Sequence, residues 1–100
     1  MKWIEIIRIR SYGSRERELA TDAFHRLNLS HFPAGLDAVK LHRHAAIESD
    51  ISVSLFWAGN EFGSRASELG TRLARAFAAF GMIDHTVWAE DTVVSPTEKQ

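Results

Sequence analysis

From Lys2 to Arg10 apolar and polar residues roughly alternate, with isoleucine at 4, 6, 7 and 9, which is the pattern of a half-buried strand. Ser11 to Ser14 makes a loop, and Ser14 is placed to cap a helix, because its hydroxyl accepts from an otherwise unpaired first-turn amide. Over Arg15–Asn28 the apolar positions change to helical spacing. Leu19, Ala20, Ala23, Phe24 and Leu27 share one face, and Asp22 and Arg26 make an i,i+4 pair outside it. Pro33 and Gly35 break the helix within a turn over Ser30–Leu36. Val39–Ile47 and Ile51–Trp57 read as two more strands joined through Glu48-Ser49-Asp50, a hairpin with no turn glycine to set its type. Its register is therefore open by one residue, and with it the face that His42 and His44 occupy. Ser64 is the expected cap of a second helix whose buried stripe is Leu69, Leu73, Phe77 and Phe80. Gly81 falls where a left-handed C-terminal glycine is expected. Met82–Glu90 is the fourth strand, and 95–100 is a polar tail expected to be flexible.

The order β-α-β-β-α-β with right-handed crossovers gives an α+β, ferredoxin-like domain over 1–94: a four-stranded antiparallel sheet with both helices on one face. Residues 12–21 (YGSRERELAT) recur at 62–71 (FGSRASELGT), half the chain later, each copy between a strand pattern and a helix pattern. The repeat reads as two pseudo-symmetric halves. Strands one and three are expected as central parallel neighbours, which would bring both strand-to-helix loops to one end of the sheet. Strand one sets Ile7 and Ile9 against one face and Ile4 and Ile6 against the other. Two helices cover only one face, so a large apolar patch is expected on the open one, and a twofold homodimer through that face is the simplest cover.

Composition narrows the choice of chemistry. Twelve basic and thirteen acidic residues leave a formal charge of −1, so no general field attracts nucleic acid or an anionic membrane. The absence of cysteine removes disulfides, thiolate metal sites and thiol catalysis, and fits a cytoplasmic protein. The alternating N-terminus is neither signal peptide nor membrane anchor. The third strand, Ile51–Trp57, lacks the aromatic signature on which RNA-recognition domains stack bases.

Four groups of residues remain as candidates. Gly13-Ser14-Arg15 and Gly63-Ser64-Arg65, set side by side, would form an anion site from two helix N-termini; the plainer reading is a turn glycine, a capping serine and a solvated arginine, twice. His42 and His44, two apart on a strand, have metal-ligand spacing; no third ligand falls beside them in sequence, although His85 or His31 could approach in space, and no metal is expected. His85 shares parity with Ile83 and Val87 and is either hydrogen-bonded packing or an acid–base group. Glu5 and Arg8, on opposite faces of a central strand, must each find a partner. Trp3, Trp57 and Trp88 either pack a core or interface, or line a pocket for a flat aromatic ligand between helices and sheet.

With its isoleucine-rich first strand, long hairpin, and Leu55-Phe56-Trp57 closing the third strand, the chain resembles the antibiotic-biosynthesis-monooxygenase-like (ABM) group of the dimeric α/β-barrel superfamily. The resemblance covers residues 2–90. It implies a homodimer whose sheets pack into a barrel, a cavity between each sheet and its helices, and, in some members, oxidation of polyaromatic substrates without metal or flavin. Trp57 corresponds to a tryptophan near the end of the third strand. Strand one has no asparagine and helix two no histidine, the residues that haem-degrading members use.

The expectation is a cofactor-free monooxygenase or aromatic binder, with Trp57 stacking the ligand, His85 moving a proton, and Glu5 or Arg8 orienting polar groups. The alternative is a non-catalytic ligand-binding or protein-interaction module with an anion site at the paired helix N-termini. The sheet–helix interior separates them: filled by Leu55, Phe77 and their neighbours it argues against an enzyme, and open with His85 on its wall it argues for one.

Overall fold

A computed structural model describes residues 2–28, 32–59 and 65–97. The elements follow the expected order: β1 (Trp3–Ser11), α1 (Ser14–His25), β2 (Leu36–Arg43), β3 (Asp50–Trp57), α2 (Glu68–Phe77) and β4 (Gly81–Ala89). The strands form one antiparallel sheet in the order β2-β3-β1-β4. Ile7, Ile9, Ile51, Val53, Leu55 and Trp57 from one face join Ala20 of α1 and Leu69, Leu73 and Phe77 of α2 in a single apolar cluster. This is the ferredoxin-like architecture.

β1 and β3 are neighbours but antiparallel, with Trp3 opposite Trp57 and Arg10 opposite Asp50. The expected parallel pairing is corrected by counting reversals. The crossover through α1 makes β2 parallel to β1, and the hairpin then turns β3 back. β1 ends beside the start of β3, and β3 ends beside the start of β1. The chain therefore leaves β1 toward α1 and leaves β3 toward α2 at opposite ends of the sheet; of the second Gly-Ser-Arg only Arg65 is among the described residues.

Both helix starts also shift. α1 begins at Ser14 after Gly13, whose carbonyl accepts from Arg17 N at 3.0 Å, with no side-chain cap. α2 is capped by Ser67, whose hydroxyl oxygen accepts from Gly70 N at 2.8 Å. Ser64 and Gly63 lie outside the described residues. α1 stops at His25, three residues short of Asn28.

β2 starts earlier than expected, at Leu36, through an irregularity between Leu36 and Ala38. It also ends earlier, because His44 Nδ1 accepts from Ala46 N (3.0 Å) and Ile47 N (2.9 Å) and folds those residues into the turn. Gly81 does not take a left-handed conformation. It is required because any Cβ there would strike the Arg10 carbonyl across the β1–β4 pair. Among the described residues the left-handed glycine is Gly35, φ 87°, in the turn where Leu36 N donates to the Pro33 carbonyl. After β4, residues 90–97 carry no regular structure and are exposed.

The open face is not uniformly apolar. Reading across β2-β3-β1-β4, its rows are Ala38–Phe56–Ile4–Trp88, then Lys40–Ser54–Ile6–Thr86, then His42–Ser52–Arg8–Asp84, and finally Asp50–Arg10–Met82. Apolar surface collects at one end and ion pairs at the other, in place of the single broad patch expected from strand parity.

Candidate functional site

Glu5 lies on the helix-covered face of β1, directly between Leu55 and Val87, and is 1% exposed. Its parity with Ile7 and Ile9 sends the side chain inward. A carboxylate there needs partners, since burying an unpaired charge is strongly unfavourable. It has three. Trp57 Nε1 donates to Oε1 at 2.8 Å, Ser67 N donates to Oε2 at 3.0 Å, and His85 Nε2 lies 2.9 Å from Oε2. The first two groups can only donate, and a carboxylate Oε2 accepts from His85 when Nε2 carries a proton; in the neutral ring of that tautomer Nδ1 is the acceptor atom.

Two residues of α2 make room for this carboxylate. Ser67 uses its amide on Glu5 and its hydroxyl oxygen to cap the helix. Gly70 is buried against the same group, and any Cβ at this position would overlap Oε2. In the repeat of 12–21 at 62–71, Gly70 stands where the first copy has Ala20. A glycine inside a short helix is unfavourable by roughly 1 kcal/mol against alanine, and that was the available clue to a close neighbour.

His85 joins the cluster with its side chain 16% exposed. Arg8 does not: it lies on the open face, as its parity predicts, and pairs loosely with Asp84 at 3.7 Å. Over the middle of β3 the sheet–helix interior is filled by Leu55 and Phe77, 0% and 1% exposed.

Open space lies instead at the strand ends. A cleft of about 340 Å³ is bordered by Trp3, Trp57, Trp88, Phe56 and Ile4, with Lys2, Asp37 and Glu90 at its rim. The structure thus gathers the three tryptophans, as one reading of the sequence expected, but at the end of the sheet and partly on its open face. Trp88 is 57% exposed, its Nε1 donating to Thr86 Oγ1 at 2.9 Å. Trp3 Nε1 is buried and has no hydrogen-bond partner among the described residues. A second groove, about 240 Å³, touches Trp57 from the other side, between Pro33–Ala34 and the start of α2.

The remaining candidates stay apart. Gly13 is half-buried, Ser14, Arg15 and Arg65 are exposed, and the segment before Gly13 meets the hairpin turn and Phe80, with Ser11 N donating to Ser49 O at 2.9 Å and Tyr12 N to Phe80 O at 3.0 Å. His42 is exposed on the open face and His44 is committed to its turn. No group of three metal-ligating side chains occurs among the described residues, and no described helix is long and apolar enough to cross a membrane.

At the ion-paired end, Asp50 accepts from Arg10 Nε at 3.1 Å and Nη2 at 3.3 Å. The hydrogen-bonded Arg10 guanidinium holds the Asp50 carboxyl below its ordinary value of 3.8, against burial, which pushes it up. The same contact raises Arg10.

No protein-family model matches the chain, and no curated protein matches it in sequence. Solved structures match its fold. A candidate antibiotic biosynthesis monooxygenase from Bordetella bronchiseptica aligns with TM-score 0.63 and 19% identity, covering 93% of this chain and 98% of that one. SnoaB, a cofactor-independent oxygenase from Streptomyces nogalater, gives TM-score 0.63 at 15% identity over 95% and 98% of the two chains. A dimeric ferredoxin-like protein from an uncultured marine organism gives 0.60 at 14% identity over 94% and 93%. The protein has the ABM-like, ferredoxin-type fold, and at these identities the likeness is one of fold.

Proposed function

We propose that this protein is a homodimeric ABM-like binder of a small, planar aromatic molecule, held against Trp3, Trp57 and Trp88. The strand-end cleft carries the reading. Its volume is at the lower end of the range for small-molecule pockets, and its walls are indole and phenyl rings with few polar groups, the make-up of a site for a flat apolar ligand. The homodimer is supported by the apolar row Ala38–Phe56–Ile4–Trp88 on the open face and by the dimeric relative of the same fold. A second copy across that row would border the cleft and shield it from water.

Titration with 2-naphthol tests the site. The expected result is saturable quenching of tryptophan fluorescence, abolished in Trp88→Ala; unsaturable quenching removes the reading. Sedimentation as a monomer at micromolar concentration removes the dimer.

One observation favours a second reading, a cofactor-independent monooxygenase: the Glu5–His85 pair, in which the carboxylate orients the imidazole and Nδ1 is the proton acceptor. A phenol-activated CH₂ group would lose a proton to His85 and react with O₂, one oxygen atom ending in the new carbonyl and the other in water. The four electrons come from the substrate, so no external reductant is needed. The packed interior around Leu55 and Phe77 argues against this reading and leaves only the exposed edge of His85 for the reaction. Oxygen uptake with a polycyclic phenol, lowered about 100-fold or more in His85→Ala, would support it; no uptake in the wild type would exclude it for that substrate class.

A further inference from the structure

We propose that Glu5 is a positioning residue, whose carboxylate locks the Trp57 ring as the stacking platform of the strand-end cleft. This rests on the aromatic-binding reading of that cleft.

The two halves of the chain supply the internal comparison. The residue half a chain beyond Glu5 is Leu55, and the two stand directly opposite one another in the β1–β3 ladder. Both point toward the helices and both are fully buried, so a leucine satisfies the packing of this layer. A carboxylate in the matching place must be stripped of water and needs a reason beyond filling space. Its partners show the reason. Oε1 is taken by Trp57 Nε1, while Ser67 N and His85 Nε2 hold Oε2, so the carboxylate is fixed from both ends.

Trp57 carries the same implication. Phenylalanine would fill an apolar layer without an N–H that requires an acceptor. Trp57 is 3% exposed and borders the cleft, and its N–H ties the ring to Glu5. Trp3, paired with Trp57 across the ladder and lining the same cleft, has no such tie at Nε1 among the described residues. Gly70 completes the arrangement by giving up its side chain to the carboxylate. A platform fixed before the ligand arrives loses less freedom on binding and therefore binds more tightly.

The test has a ligand-free arm and a binding arm. In ¹⁵N NMR, the Trp57 indole proton is expected to be protected from exchange in the wild type and in Glu5→Gln, which keeps an acceptor oxygen, and to lose that protection in Glu5→Leu. The Trp88 indole proton should not change. In the binding arm, Glu5→Leu should weaken 2-naphthol roughly tenfold, while the same change made in Trp57→Phe should have no further effect. The proposal is overturned if Glu5→Leu leaves both protection and affinity intact, or if it weakens binding equally with and without the Trp57 indole. If Glu5→Leu does not fold, Glu5→Gln decides: loss of the Trp57 protection there overturns the proposal. Failure of the wild type to bind 2-naphthol defeats the aromatic reading, and the NMR arm still decides whether Glu5 holds Trp57.

Discussion

Glu5 and Asp50 are both buried carboxylates of one sheet, 1% and 2% exposed, yet they sit on opposite faces and toward opposite ends. Asp50 is matched by a full opposite charge, a guanidinium that reaches in from solvent with two of its three nitrogens, Nε and Nη2. Among the described residues Glu5 is held by an indole, a backbone amide and an imidazole, with no arginine or lysine bonded to it. The first arrangement is a local clamp across two strands beside the hairpin. The second gathers donors from β3, α2 and β4, so one side chain spans most of the second half of the fold. Burial alone therefore does not separate a structural acid from a site-building one; the kind and origin of the donors do.

Removing each acid should expose this difference. Glu5→Leu leaves two N–H groups certain to be donors, and the His85 ring, buried without an acceptor. The expected loss is about 3 kcal/mol or more in urea denaturation, because each unpaired buried donor costs on the order of 1–3 kcal/mol. A loss no greater than that of Asp50→Asn would break the comparison.

Next in size is Gly70→Ala. In a solvated helix this change would gain roughly 1 kcal/mol, but here the new methyl must displace the Glu5 carboxylate, at a typical overpacking cost of about 1–3 kcal/mol. A lowered melting temperature is expected, and a raised one would mean that Glu5 is not held where the structure puts it.

A smaller effect is expected from acid at the other end of the sheet. Because folding depresses the Asp50 carboxyl below its ordinary 3.8, its contribution to stability is present above that pH and is lost as pH falls through the folded value. The stability gap between wild type and Asp50→Asn should be constant near neutrality and shrink steadily below about pH 4. A gap unchanged in acid would mean that the Arg10 clamp is not electrostatic. Smallest of all for the fold of one chain, Trp88→Ala should leave the cooperative unfolding transition in place while weakening the dimer and removing 2-naphthol binding; loss of that transition would place Trp88 in the core instead.

The element order and the buried stripes were legible because they rest on local periodicity. Leu69, Leu73 and Phe77 on α2, and Ile7 and Ile9 on β1, sit where their spacing predicts. The charged Glu5 at a core parity was also visible as a residue in need of partners. What that reasoning could not supply was everything decided over long sequence separation. His85 lies 80 positions from Glu5, and Ser67 takes the cap of α2 while its own amide is engaged by a carboxylate 62 positions away. Strand direction is likewise set by the count of reversals along the whole chain: the hairpin turns β3 back, so β1 and β3 end at opposite ends of the sheet.

The close approach of Gly70 to Glu5 also limits the routes by which this sequence can drift. While the acid stays, position 70 accepts no side chain without disturbing it. A shorter residue at position 5 would lift that restriction, and alanine at 70 would then become an improvement to the helix. The two positions should thus change in one order only, the strand first and the helix second. A relative carrying any other residue at 70 should already have given up its glutamate.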